Sequence, residues 1–350
     1  MMAYVSLSKR LLKRMALGSG VPQLVSRCLP KGIAILRYHS ILNEGHDLGA
    51  TIGSGIIHTA RTFEAHVKLI AERYRPVTLD QVYQFLADGA SVPERAVAFT
   101  FDDGFRDNYS VAAPILERYG IRAAFYLTTG PVATGSLPWF CRLRHAFNLT
   151  EKAAWVDSFT NSRWDLSDEA TRRTAFRETA KRCAQCVGER QEQFVLQVER
   201  SLDAPPLRQA RLMMNWDECR ALRRAGHIIG SHAVTHPNLA YVSRDDALRE
   251  LTESKRVLEE QLGESVVHFS YPSPTLQPHW TARTLALTKA AGYKTAVTCT
   301  VGLTTSARDP LSLPRLGSPP GLDGFHWRVE STFFLPGRRR PVVPPERREP

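Results

Sequence analysis

Ala96-Val-Ala-Phe-Thr-Phe-Asp-Asp-Gly104 is apolar at nearly every one of its first six positions, then turns to two adjacent carboxylates and a glycine. A strand with one wet face alternates apolar and polar residues. A run without alternation marks a strand covered on both faces, as in a parallel sheet. The two aspartates then fall where such a strand ends, the place where parallel barrels and open sheets collect functional groups.

Upstream, GIAILRY (32–38) is a second strand of the same kind. The helix after it puts Phe63, Val67 and Ile70 on one face, and Thr78-x-x-Gln81 opens the next helix as a capping box. Downstream, NYSVAAPILERYG (108–120) reads as a helix closed by Gly120, and RAAFYLT (122–128) as a strand. Asn215-x-x-Glu218 starts a helix ending near Gly226, and HIIGS (227–231) is a strand. Leu248, Leu251, Lys255, Leu258 and Leu262 keep helical spacing up to a stop at Gly263. VVHFSY (266–271), TARTLALTKAAG (281–292) and YKTAVT (293–298) complete an alternation that predicts a parallel α/β architecture.

Residues 136–212 break that rhythm. They are rich in Arg, Gln, Glu and aromatics, read as helical and contain no convincing strand. We expect a helical insertion over one loop, because a stretch of about 75 residues without an apolar stripe is marginal as a separate domain. The expected segments are a basic N-terminal helical segment (1–31), the α/β domain (32–335) with this insertion, and a flexible Pro/Arg-rich tail (336–350).

The net charge of +11 sits at the ends. Residues 1–43 hold seven basic side chains and no acid, and residues 336–350 carry +3, leaving +1 for the core. Solvated tails, or contact with an anionic lipid surface through the amphipathic SLSKRLLKRMAL (6–17), both fit this pattern. No aromatic residues interleave the basic ones, so nucleic acid is not an expected partner. The six cysteines show no disulfide rhythm, and the Cys183-x-x-Cys186 pair has no second pair to complete a zinc site. Neither a signal-peptide core nor a membrane-spanning run is found, so the expected location is the cytoplasm, with the inner membrane face as the place a docked N-terminal segment would reach.

Four polar clusters follow predicted strands: His39, Asp102-Asp103-Gly104, His232 with His236, and Pro272-Ser273-Pro274. Two imidazoles four residues apart can reach one ion from a single turn, but among eleven histidines such a pair is weak evidence alone. An adjacent Asp-Asp-Gly can be a plain turn. Together, one carboxylate and two neutral imidazoles make an open three-ligand site suited to Zn²⁺, and the remaining aspartate is free to take a proton from an attacking water.

Thr100-Phe101-Asp102-Asp103-Gly104, with Gly230-Ser231-His232-x-x-x-His236-Pro237-Asn238-Leu239, resembles the polysaccharide deacetylase family, the NodB-homology or carbohydrate esterase family four domain. Tyr38-His39-Ser40, Phe269-Ser270-Tyr271-Pro272, Gly292-Tyr293-Lys294 and Leu313-Pro314-Arg315 extend the likeness over about residues 33–317. The resemblance implies a distorted (β/α)7 TIM-like barrel and metal-assisted hydrolysis of an N-acetyl, sometimes O-acetyl, group on a polysaccharide or its lipid-linked precursor. It makes Asp102 the base and Asp103, His232 and His236 the ligands of a divalent metal, Zn²⁺ by preference. The Ser273 backbone N–H would steady the oxyanion, and Tyr271 and Arg315 would join the substrate site.

The sequence also departs from the family pattern. Leu-Pro-Arg stands where many members have Leu-x-His, so His39 becomes the candidate acid and His326 its runner-up. Ala233 replaces a Ser or Thr, and Ser270 or Phe269 stands where an arginine is common, a loss that Arg315 could make good by pairing with Asp102. Phe105, Tyr126, Trp139, Tyr271 and Trp280 are either sugar-stacking residues or core. These departures keep a second reading open, a catalytically silent glycan-binding or scaffold protein on the same barrel.

Overall fold

A computed structural model of the chain describes residues 31–46, 48–207, 211–272 and 275–334. The strands are β1 (Ile33–Tyr38), β2 (Ser40–Leu42), β3 (Ile57–Thr59), β4 (Arg75–Pro76), β5 (Ala96–Phe101), β6 (Ala124–Leu127), β7 (Ala154–Val156), β8 (Arg163–Asp165), β9 (Ile228–Ser231), β10 (His268–Ser270), β11 (Thr295–Val297) and β12 (Leu316–Gly317). The α-helices are α1 (Ala60–Arg73), α2 (Leu79–Ala87), α3 (Ala113–Arg118), α4 (Thr129–Thr134), α5 (Trp139–Leu149), α6 (Glu169–Cys183), α7 (Gly188–Leu202), α8 (Trp216–Arg224), α9 (Arg244–Leu262), α10 (Ala282–Ala290) and α11 (Leu322–Phe334).

The main sheet runs β11-β10-β9-β6-β5-β1-β12 with every pairing parallel, and β4 adds to the start of β5. Val297, the last residue of β11, bridges in parallel to Leu313, just before β12. That bridge brings the two ends of the strand order together and curls the sheet into a distorted (β/α)7 barrel. Alternation along the strands separates two apolar layers. Ile33, Ile35, Ala96, Ala98, Ala124 and Ile228 fill the barrel with Val82 and Phe85 of α2 packed beneath them. Leu36, Phe99, Phe101, Phe125 and Phe269 face the surrounding helices.

Local chemistry set the helix ends where the sequence predicted them. Thr78 and Asn215 both form full capping boxes, and Gly263 closes α9 in the left-handed conformation. Phe63, Val67 and Ile70 are buried on one face of α1. The segment expected as one helix over 108–120 differs: Asn108–Ala112 forms a π-helical turn before α3 begins.

The insertion packs α5, α6 and α7 around its own apolar cluster of Leu143, Phe147, Trp155, Val195 and Val198. It also corrects the expectation of no strand, because β7 and β8 pair as an antiparallel hairpin with Trp155 opposite Trp164. Three-residue strands are too short for a two-residue period to show in sequence. No helix among the described residues is long and apolar enough to cross a membrane. The basic N-terminal segment, except Lys31, and the tail from 335 onward lie outside the described residues, as do Ser273 and Pro274.

Candidate active site

Register brings the polar clusters together. β1 and β5 pair without offset from Ile33↔Ala96 to Tyr38↔Phe101, so His39 and Asp102 leave the sheet side by side. The Asp102 N–H donates to the Tyr38 carbonyl at 3.1 Å, prolonging that pairing by one residue. Leu127 pairs with Ser231, and the His232 N–H donates to the Leu127 carbonyl at 2.9 Å. Ser231 pairs with Phe269, which sets Ser270 beside His232.

Asp103, His232 and His236 meet at one point. The Asp103 Oδ1 atom lies 3.5 Å from His232 Nε2 and 3.4 Å from His236 Nε2, and all three donor atoms fall within 4.8 Å of one another. All three residues are buried. His232 Nδ1 donates to the Ser270 carbonyl at 2.7 Å, which fixes the tautomer and leaves the Nε2 lone pair facing Asp103. Burial, assisted in His236 by His232, holds both imidazoles below their ordinary range and therefore neutral. Burial and the adjacent Asp102 charge push Asp103 far above the usual carboxylate range. Two neutral nitrogens around a carboxylate that resists ionisation form a donor set that a divalent cation would satisfy.

The backbone is strained here. Asp103, Ala233 and His236 take φ of 79°, 67° and 60°, a region non-glycine residues adopt at a cost, and such strain concentrates at functional sites. The His232–His236 loop is held from outside by Glu250 of α9, which accepts from the Val234 and Thr235 N–H groups and from the Thr235 hydroxyl at 2.7–2.9 Å. That network supplies loop hydrogen bonding that Ala233 lacks.

Asp102 lines the same cavity and meets Arg315. The guanidinium binds both carboxylate oxygens, and Ser270 Oγ donates to Oδ1 at 3.1 Å. Burial opposes the Asp102 charge, but Arg315 outweighs it, so Asp102 stays ionised well below the usual carboxylate range. Arg315 thus pairs with the aspartate, as the sequence allowed, and is not among the residues lining the cavity; its guanidinium lies beside Ser270, where the family's arginine is missing. His39 Nε2 sits 3.9 Å from Asp102 Oδ2 and lines the same cavity, its ring pushed down to about 3 chiefly by burial.

Other expected residues are elsewhere. His326 lies on α11, 3.9 Å from Glu330 and edge-on to Tyr74, and does not line the cavity. Tyr271 borders the cavity, but its fully buried ring packs edge-to-face on Phe269 and stacks with Trp280, so it cannot be the stacking platform. Phe105, Tyr126 and Trp280 are core. Trp139 is also buried, and it borders the cavity with its indole N–H donating to the His236 carbonyl at 3.0 Å. Sequence reading missed Arg37, Phe140, Arg144, Phe176 and Cys299, which line this cavity of about 420 Å³. The i, i+4 spacing of Phe140 and Arg144 on α5 was the signal available, since it puts both on one helix face.

The sequence profile of the family described as "Polysaccharide deacetylase" matches residues 89–296, which hold all three donors and Asp102. The chain belongs to the polysaccharide deacetylase family. Its relatives in that family include YxkH of Bacillus subtilis (strain 168), 20% identical over 296 residues covering 84% of this chain and 74% of that protein. The poly-β-1,6-N-acetyl-D-glucosamine N-deacetylase of Escherichia coli (strain K12) is 28% identical over 88 residues, 25% of this chain and 12% of that enzyme. The fold is similar to that of the Streptococcus pyogenes deacetylase PplD, with a TM-score of 0.56 and 21% identity over 84% of this chain and 95% of that one. It is also similar to IcaB from Ammonifex degensii, with a TM-score of 0.55 and 17% identity over 87% and 97% of the two chains. Deacetylases of this family are hydrolases acting on carbon–nitrogen bonds, and the barrel here is the family's fold.

Proposed function

We propose that this polysaccharide deacetylase removes N-acetyl groups from a hexosamine-containing glycan with the help of a divalent cation, Zn²⁺ by the chemistry of the donors. One observation carries the reading: a buried Asp103–His232–His236 cluster shares a cavity with a second carboxylate, Asp102, that Arg315 keeps ionised. A cation held by the three donors supplies Lewis acidity toward the acetyl carbonyl and toward water.

The chain's own groups do the rest. Asp102 cannot rotate away, since Arg315 and Ser270 fix both oxygens, so it is aligned to take the proton of the attacking water. A carboxylate gripped by an arginine is a weak base, and it would suffice where a cation on the three donors lowered the pKa of the water. His39, 3.9 Å from Asp102 Oδ2 and lining the cavity, rests neutral, so it serves the departing amine by first taking up the proton that Asp102 draws from the attacking water. The departures from the family pattern give little support to a silent protein, because Arg315 and Glu250 fill the roles that the missing residues left open.

The test is acetate release from N-acetylglucosamine oligomers, β-1,4- and β-1,6-linked, by protein loaded with Zn²⁺ and by the same protein after chelation. Release that chelator abolishes and Zn²⁺ restores supports the reading. Absence of release from every acetylated glycan, in protein that binds one Zn²⁺ per chain, refutes it.

A further inference from the structure

The catalytic cavity holds more positive charge than hydrolysis of a neutral sugar requires. Asp102 is matched by Arg315, and Asp103 faces the imidazoles. Two further guanidinium groups line the same cavity, and neither makes an ion pair with a carboxylate among the described residues, although Arg37 is near enough to Asp103 to act on its charge. Arg37, from β1, makes its side-chain contact with the Cys299 thiol. Arg144, from α5 of the insertion, has no ion-pair partner among the described residues, and its buried Nε has no hydrogen-bond acceptor.

Arg144 is nonetheless held in place. Its Cζ lies 4.8 Å from the centroid of the Phe176 ring, a cation–π contact that uses none of the guanidinium's N–H donors. Gly53 makes room on the other side, since a Cβ there would stand 2.9 Å from Arg144 Cζ, and its φ of +106° is itself one that favours glycine. Leaving the buried Nε of this half-buried guanidinium without an acceptor is costly, and an incoming anion that accepts from the group offsets that cost. The planar fork of arginine suits both phosphate and carboxylate oxygens.

We propose that Arg144 and Arg37 form an anion subsite in the catalytic cavity, so that the N-acetylated sugar this chain deacetylates carries a phosphate or carboxylate substituent. The proposal rests on the deacetylase reading for its substrate, and its test separates the two. The insertion then selects the substrate, while the barrel carries the chemistry.

The experiment compares kcat/KM of the Zn²⁺-loaded protein on di-N-acetylchitobiose, on N-acetylglucosamine 1-phosphate and on a uronate-containing hyaluronan tetrasaccharide. We expect one charged substrate to exceed the neutral one by roughly tenfold or more, the scale of a charge-assisted pair, and the better of the two identifies the anion. Arg144→Gln should bring that ratio close to one, Arg144→Lys should keep part of it, and Arg173→Gln, on the exposed face of α6, should keep all of it. Equal rates on all three substrates, or a preference that Arg144→Gln leaves intact, overturns the subsite. Should no substrate release acetate, equilibrium dialysis with the two charged sugars decides: Arg144-dependent binding sustains the subsite while the deacetylase reading falls, and binding indifferent to Arg144 removes the subsite as well.

Discussion

The Arg315 guanidinium grips both carboxylate oxygens of Asp102, Nη1 to Oδ1 at 2.7 Å and Nη2 to Oδ2 at 2.8 Å, across 213 residues of chain. Neither side chain is more than 2% exposed. Removing one member of such a pair leaves the other charge buried and uncompensated, which typically costs about 3–5 kcal/mol. Arg315→Met should therefore lower the unfolding free energy by roughly that amount and abolish acetate release. Urea denaturation measures the first effect; a change below about 1 kcal/mol, the worth of an exposed pair, would show that the pair is not desolvated as described.

The two adjacent aspartates should separate cleanly. Asp102→Asn is expected to reduce kcat by about 10²–10⁴-fold, the usual worth of a general base, while bound metal stays near one ion per chain. Asp103→Asn should lose the metal, because it removes the one anionic donor of the cluster. Metal analysis of both purified variants checks the assignment, and metal loss in Asp102→Asn instead would mean that the roles are exchanged.

Trp139 ties the insertion to the His232–His236 loop through its N–H bond to the His236 carbonyl. Trp139→Phe removes that bond with little change in shape. We expect metal affinity to fall by about 10–100-fold, as for other groups that orient ligands from behind, and the far-UV spectrum to stay unchanged. A competition titration with a chromophoric chelator reads the affinity, and a wild-type value would reduce Trp139 to packing.

Acid should destabilise the fold through buried neutral histidines. His66 stacks on Phe325 with ring centroids 3.8 Å apart, and burial, with His58 adding to it, lowers its pKa to about 3. A folded-state pKa below the unfolded one means that the stabilisation is full above about 6.5 and is lost as the pH falls toward 3. Each such histidine contributes a slope of at most about 1.4 kcal/mol per pH unit in that window. Denaturant midpoints at pH 7.5 and 5.0 should differ, and His66→Leu should narrow the gap; a gap unchanged in that variant would remove His66 as a cause.

Much of this was readable residue by residue. The unbroken apolar run of β5 announced a doubly covered strand, and the capping boxes at Thr78 and Asn215 marked helix starts, because both signals are local. The hairpin of β7 and β8 was not, since its pairing of Trp155 with Trp164 depends on helices packed around it. Arg144 was hidden for the same reason: only the fold of the insertion turns α5 toward the cavity.

The sequence by itself determined the parallel α/β rhythm and the donor set, because strand patterning and residue chemistry need no partners to be read. The tertiary structure decided which group meets which: that Arg315 binds both oxygens of Asp102, that His39 and not His326 reaches the cavity, and that Trp139 donates to the His236 carbonyl. Those are relations between side chains distant in the chain, set by sheet register and barrel closure, and a linear pattern carries no record of the distances they create.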